Sequence, residues 1–168
     1  MSEQKVNAND GAIFFPVSKM KLAVMSLCTL GIYDIYWFYK YWVYIKKKTG
    51  ENIMPITRAV IAIIFCYQCF AHVSNEVEKH NIKLSKSALY LTIWYVLFLI
   101  FGLAPVLVII GMLKFIPLLY IQEAVNKANA KSAPDMDPNS RITWKNILAM
   151  IPGAILLLIN IIGLFVRA

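Results

Sequence analysis

The stretch VSKMKLAVMSLCTLGIYDIYWFYKYWVYIKKK, residues 17–48, decides the fold. Eight of the twelve residues from 33 to 44 are Tyr, Trp or Phe, and lysines follow at 46–48. Rings with a polar edge suit the boundary between lipid tails and headgroups, and lysines suit the anionic headgroups beyond it. The stretch therefore predicts a helix at a membrane boundary. Its predicted interface residues are Tyr36, Trp37, Tyr39, Tyr41, Trp42, Tyr44, Lys46, Lys47 and Lys48.

The composition is that of a membrane protein. Of the 168 residues, 60% are hydrophobic and 15% are charged, whereas a soluble domain is about 45–50% apolar and about 25% charged. The net charge is +8, but Lys and Arg lie at the ends of apolar segments, which favours anionic lipid headgroups over nucleic acid as the partner. The first dozen residues lack the basic start of a cleavable signal peptide, and the three cysteines indicate no disulfide framework.

The chain alternates between apolar segments and polar loops. We expect a flexible tail over 1–16, apolar segments at about 19–45, 57–73, 88–101, 106–121 and 147–165, and a polar loop over 122–145. Gly102-Leu103-Ala104-Pro105 divides a run of 34 apolar residues that would be about 50 Å long as one helix, against a hydrocarbon core of about 30 Å. The prediction is a single all-α domain, a multi-span helical integral membrane protein with five apolar segments, or four if residues 102–105 form only a kink.

Two arrangements of the first segment are compatible with its length. Residues 22–45 form one strongly tilted span, which we favour, or residues 34–48 lie along the membrane surface after a short dip. With five spans, the positive-inside rule favours a cytoplasmic N-terminus. That topology puts Lys46, Lys47 and Lys48 on the opposite side of the membrane from Lys79 and Lys83.

A motif in this stretch resembles a known family. Thr29-Leu30-Gly31-Ile32-Tyr33, followed by Tyr36-Trp37-Phe38-Tyr39-Lys40, resembles a motif of small bacterial multi-pass membrane proteins of unknown function. The resemblance extends over most of the chain, through the Pro55 to Ala59 entry of the second segment and the final span. It implies a location in the bacterial inner membrane and carries over no activity.

One set of residues has the chemistry of a metal site. Cys66, Cys69 and His72 share one helix face at a spacing of three, and two thiolates with an imidazole could hold Cu(I) or zinc. The alternative is that each cysteine is a small apolar side chain in a buried helix. We favour the alternative and expect no metal and no cofactor.

Three charged residues lie within or beside apolar segments, where charge is costly and often functional. They are Asp34, Lys40 and Lys114. One hypothesis is that Asp34 and Lys114 form an ion pair between helices. The favoured alternative is that Asp34 caps a helix start and that both lysines extend toward the headgroups.

The sequence contains no recognisable catalytic set, since Ser–His–acid arrangements, paired carboxylates in an apolar segment and phosphate loops are all missing. We therefore expect a non-enzymatic protein that associates with membrane lipids, including anionic headgroups, or with partner membrane proteins or itself. The alternative is an oligomeric transporter or channel component, which the breaks at Gly31 and 102–105 would suit. The substrate or partner cannot be identified from the sequence.

Overall fold

The structure, a computed structural model, describes residues 12–167, without the side chains of residues 105, 160, 161 and 164–167. Within this range the chain is helical and contains no strand, so the predicted all-α class is confirmed. The helices are α1 Lys19–Cys28, α2 Ile32–Thr49, α3 Pro55–Val60, α4 Ala62–Glu78, α5 Ala88–Phe101, α6 Val108–Gly111, α7 Phe115–Ser132 and α8 Trp144–Arg167. Short 3₁₀ turns, Pro105–Leu107 and Met112–Lys114, flank α6.

Local sequence signals set several of these boundaries. Ser18 and Ser87 cap α1 and α5, since each hydroxyl accepts a hydrogen bond from the backbone N–H three residues later. Helix α2 ends at Gly50, whose φ of 71° lies in the left-handed region that favours glycine. Pro55 opens α3, where a missing N–H costs nothing.

The C-terminal ends of α2, α4 and α7 meet at one end of the molecule. The Nζ atoms of Lys48 and Lys79 lie 2.5 and 3.1 Å from the carboxylate of Glu76. Lys131 Nζ donates to the carbonyl oxygen of His80 at 3.2 Å. Burial alone would raise the pKa of Glu76, but the two lysines outweigh burial and hold the pKa below its usual value. We call this the charged end, comprising residues 46–52, 76–87 and 127–143.

The predicted topology is therefore wrong at its first segment. Lys48 and Lys79 bind the same carboxylate and cannot lie on opposite sides of a membrane. The predicted single span over 22–45 is broken after Cys28, because the chain reverses at residues 29–31 and α2 returns to the charged end. The placement of residues 34–48 along a membrane surface stays a prediction; in the structure α2 supplies much of the buried aromatic core.

The opposite end of the molecule is formed by turns of apolar sequence. Residues of the α1–α2 turn, the α3–α4 break and the segment after α5 line one cavity there, together with Lys114. Leu103, Val106 and Ile109 are 71–80% exposed at this end. We call it the apolar end, comprising residues 29–32, 60–63 and 100–114.

The core is built from aromatic side chains of α2. Trp37 and Tyr41 stack with ring centroids 3.8 Å apart, and Phe14 stacks on the other side of Tyr41 at 5.3 Å. Phe38 stacks on Phe70 of α4 at 5.8 Å. The prediction of a flexible tail is wrong for residues 13–16, which are buried here, while residues 1–11 lie outside the described part of the chain.

Helix lengths bear on the membrane prediction. One helical stretch of the described chain, Val108–Ser132, is long and apolar enough to cross a membrane, and Ala88–Phe101 and Trp144–Ile159 are apolar but shorter. Helix α1, with 10 residues, rises about 15 Å, and α5, with 14, rises about 21 Å. The number of spans stays a prediction.

Candidate functional site

The turn between α1 and α2 explains why the chain carries Thr, Leu and Gly at 29–31. Leu30 and Gly31 have φ angles of 50° and 85°, and Gly31 N donates to the carbonyl oxygen of Ser26 at 2.8 Å. The hydroxyl of Thr29 donates to the carbonyl oxygen of Met25 at 2.7 Å and accepts from Tyr33 N at 2.9 Å. The motif thus reverses the chain while leaving its amides hydrogen-bonded.

A charged pair lies directly beneath this turn. Lys114 Nζ is 3.8 Å from Asp34 Oδ2, and Asp34 is only 1% exposed. Neither carboxylate oxygen of Asp34 accepts a hydrogen bond from the residues that the structure describes. Asp34 lies in the first turn of α2 and makes no capping bond, since the N-cap is Gly31. The structure therefore supports the ion-pair hypothesis and not the capping alternative.

Gly31 creates the space that Lys114 occupies. A Cβ at residue 31 would overlap the end of the Lys114 side chain, and the positive φ is itself unfavourable for a side chain. The close approach places the ammonium over the N-terminal turn of α2, beside Asp34. A glycine in a turn and a lysine more than 80 residues later thus form one site.

Replacing Gly31 with Ala should lower the free energy of unfolding in detergent by about 2–3 kcal/mol, because the strained φ and the displaced Lys114 both contribute. Gly50→Ala is the matched control, since Gly50 also has a positive φ but open space around it. It should lose only about 1 kcal/mol. Equal losses in the two variants, measured by thermal unfolding, would show that the Lys114 contact contributes nothing.

The ion pair predicts non-additive stability effects. Asp34→Asn leaves the Lys114 charge without its partner and should cost about 3 kcal/mol, whereas Asp34→Asn combined with Lys114→Met should cost less than Asp34→Asn alone. The free energies of unfolding of the two single variants and the double variant give the coupling energy. Strictly additive losses would mean that the two side chains do not interact.

A second polar cluster lies at the centre of the core, around Gln122 of α7. Gln122 Oε1 accepts from Trp37 Nε1 and from the Tyr41 hydroxyl, both at 2.8 Å. Its Nε2 donates to the carbonyl oxygen of Phe15 at 3.2 Å and to Asn126 Oδ1 at 2.8 Å. One fully buried amide thus joins α2, α7 and the N-terminal segment.

Two further amides of α7 hold the extended segment at residues 13–17. Asn129 Oδ1 accepts from the backbone N–H of Ile13 at 2.9 Å, and Asn129 Nδ2 donates to the carbonyl oxygen of Phe14 at 3.0 Å. Asn126 Nδ2 donates to the carbonyl oxygen of Val17 at 2.9 Å. We call Gln122, Asn126 and Asn129 the amide column. Sequence reasoning missed its role, although a spacing of four and then three residues puts all three amides on one helix face.

The amide column predicts a large effect of a single change. Gln122→Leu should lower the free energy of unfolding by about 3 kcal/mol, because it leaves the buried Trp37 N–H and Tyr41 hydroxyl without an acceptor. The neighbouring Glu123→Gln breaks exposed ion pairs with Lys19 and Lys127 and should cost less than about 1 kcal/mol. Comparable losses in the two variants would contradict the central role of Gln122.

The predicted interface residues divide into two groups. Trp37, Tyr41 and Trp42 are fully buried in the protein core. Tyr36, Tyr39 and Tyr44 are partly or largely exposed, and Lys46, Lys47 and Lys48 are exposed at the charged end. The buried residues contact protein rather than lipid, because the chain reversal makes α2 the central helix.

The remaining charge and the cysteines make other contacts. The Nζ of Lys40 lies 5.5 Å from the ring centroid of Tyr36 and 5.8 Å from that of Phe15, a cation–π arrangement. Cys66 and Cys69 are buried, and His72 lies 6.4 Å from the Trp42 ring. Among the described residues, no three His, Cys, Asp or Glu side chains are grouped as metal ligands.

A cavity of about 420 Å³ lies beside the N-terminal segment. Residues of α1, the first turns of α2, the loop after α7 and the start of α8 line it. Lys21, Asn139, Lys145 and Asn146 contribute polar lining, and Met25, Ile32 and Ala149 contribute apolar lining.

Comparison of the chain with protein-family models, curated proteins and solved structures gives no match.

Proposed function

We propose that this protein is a small, non-enzymatic, integral membrane protein that acts by association with lipids or with partner membrane proteins. The observation that carries the proposal is the apolar outer surface. Large apolar side chains are 38–80% exposed along α5, at the apolar end and along α8. Monomeric soluble proteins rarely expose contiguous apolar patches of more than a few hundred Å².

The hydrogen bonding of the apolar end supports burial in lipid. Backbone amides in a lipid core need partners within the protein. In the α1–α2 turn, the amides of residues 29–34 all donate to the carbonyl or hydroxyl oxygens of nearby residues. In the turn after α5, Gly102, Leu103, Ala104 and Leu107 do the same. These turns can enter hydrocarbon without an unsatisfied N–H at those positions.

The distribution of charge supports entry from one side. The C-termini of α2, α4 and α7 lie together at the charged end. At the apolar end, the one ion pair among the described residues joins Asp34 to Lys114. In this arrangement the bundle inserts its apolar end into the bilayer and keeps its lysines at one headgroup layer.

Helix α8 is the longest helix that the structure describes. At Gly153 its backbone packs against Cys28 and Thr29 of the α1–α2 turn, because a Cβ there would overlap their backbone atoms. The apolar part of α8, Trp144–Ile159, is shorter than a full span. The whole helix, Trp144–Arg167, has 24 residues and rises about 36 Å, which is the length needed to cross the hydrocarbon core. We propose that α8 crosses the bilayer, whereas the turns of the apolar end stay within it.

Labelling of engineered cysteines tests this arrangement. With the native cysteines replaced, Lys47→Cys and Lys83→Cys should react with a membrane-impermeant maleimide in vesicles of the same orientation, and Leu103→Cys should react in neither orientation. Lys83→Cys serves as the matched reference, because the five-span topology and one-sided entry both place residue 83 on the same side of the membrane as the N-terminus. Reaction of Lys47→Cys from the side opposite to Lys83→Cys would restore the five-span topology and overturn one-sided entry.

Membrane integration itself is tested by extraction with alkaline carbonate, after which the protein should stay in the pellet. Recovery of a folded, monodisperse chain in the supernatant would overturn the proposed function.

The alternative, an oligomeric transporter or channel component, is favoured by the buried Asp34–Lys114 pair and by the helix breaks at Gly31 and 102–105. Ion or solute flux into proteoliposomes that Lys114→Met abolishes would support transport over association. We expect no such flux, because Asp34 is buried beneath the α1–α2 turn and is only 1% exposed.

A further inference from the structure

The cavity of about 420 Å³ has a polar half and an apolar half along the axis of the bundle. Lys21 and Met25 lie one turn apart on α1, and Lys145 and Ala149 lie one turn apart on α8, so each pair lines the cavity from one helix face. Both helices begin near the loop of the charged end, since Lys21 Nζ donates to the carbonyl oxygen of Arg141. The lysines therefore line the part nearer the charged end, and Ala149 of α8 and Ile32 at the start of α2 line the part nearer the α1–α2 turn.

The polar half carries positive charge that no carboxylate of residues 12–167 neutralises by contact. Lys21 is 5% exposed, and its Nζ donates to Asn139 Oδ1 and to the carbonyl oxygen of Arg141, both at 2.8 Å. Both acceptors are neutral. Among the described residues no carboxylate forms an ion pair with Lys21, and Asp137 acts on it only from a longer distance. An ammonium group has three donors, so one remains for a ligand.

A second cation and further polar groups lie on the same wall. Lys145 is exposed at the start of α8, with its Nζ 5.8 Å from the centroid of the Trp144 ring. Asn146 accepts from the backbone and hydroxyl of Thr143 through its Oδ1, which leaves its amide NH₂ as a donor. Two ammonium groups and an amide NH₂ can donate hydrogen bonds to the oxygens of an anionic phosphate.

We propose that this cavity binds one anionic glycerophospholipid, with its phosphate between Lys21 and Lys145 and the start of an acyl chain against Ile32 and Ala149. The apolar half distinguishes a lipid from a free phosphate, which would leave that half unfilled. The proposal rests on the proposed function, because the bilayer supplies the ligand and places its headgroup at the level of the charged end.

Native mass spectrometry of the full chain in detergent tests the site, with dioleoyl phosphatidylglycerol and dioleoyl phosphatidylcholine as probes. Phosphatidylglycerol should bind more tightly. Lys145→Gln should lower its affinity about fivefold, the effect of one lysine at an anionic surface. Lys47→Gln is the matched control, because it removes an equally exposed charge at the charged end outside the cavity, and it should change affinity less than twofold.

A second pair of variants tests the cavity without changing charge. Ala149→Trp fills the apolar half and should abolish preferential binding of phosphatidylglycerol, whereas Ala154→Trp makes the same change at an exposed position of α8 outside the cavity and should have no effect. Equal behaviour of Lys145→Gln and Lys47→Gln, or of the two tryptophan variants, would overturn the proposal.

Competition with glycerol 1-phosphate separates a lipid from a soluble phosphate. This probe lacks acyl chains and should not displace phosphatidylglycerol at equal concentration. Equal displacement would overturn the lipid assignment and indicate a soluble phosphate site. If the protein shows no preference for phosphatidylglycerol but still resists carbonate extraction, the lipid site is wrong and the proposed function stands. If carbonate releases the protein from the membrane, both the proposed function and the lipid site are wrong.

Discussion

The structure depends on the buried amide column of α7. A carboxamide has two acceptor sites and two donors, and Gln122 uses them to satisfy the indole of Trp37, the hydroxyl of Tyr41, a backbone carbonyl and a neighbouring amide. Without Gln122, the aromatic core of α2 would contain polar groups that are buried and unpaired, each costing about 1–3 kcal/mol. Asn126 and Asn129 extend the column to the segment at 13–17, whose extended backbone has no helix or strand of its own to pair with.

The local turn at residues 29–31 reverses the chain and brings the first turn of α2 next to Lys114. Asp34 can meet that ammonium only because Gly31 has no side chain in the way. At the other end of α2, Lys48 reaches Glu76. The two ends of α2 are therefore in different electrostatic surroundings: Asp34 at one end is buried beside Lys114, and Lys48 at the other end is an exposed lysine bound to Glu76.

The separation of charge along the bundle unites the proposals made for this protein. Apolar turns with satisfied amides at one end and lysines at the other are the pattern expected of a bundle that enters a bilayer from one side. The proposed lipid site lies between these regions, with ammonium groups on the side of the charged end and apolar side chains below them. In this view α8 anchors the chain across the bilayer, and the cavity at its start holds a lipid from the adjacent headgroup layer.

The sequence alone determined the helical class and the approximate limits of several helices. The apolar run and the Gly102 to Pro105 break predict segment 88–101 at the bounds that α5 has, because both signals act locally. The apolar composition and the low fraction of charged residues can also be read directly from the sequence. These features depend on neighbours in the chain, so no knowledge of packing is needed to read them.

Only the tertiary structure decided which face of α2 is buried and where its lysines lie. An aromatic ring with a polar edge fits a headgroup layer and a hydrogen-bonded core equally well, so the sequence could not tell that Trp37 and Tyr41 would face Gln122, about 80 residues away. The direction of α2 depends on a turn that contains two residues with positive φ, Leu30 and Gly31. This turn makes α2 run back toward the end of the molecule where α1 begins. The direction of α2 is decided by contacts between residues far apart in the chain, such as Lys48 with Glu76 and Gly31 with Lys114. These contacts change the free energy only after the helices have packed, so the sequence alone does not reveal them.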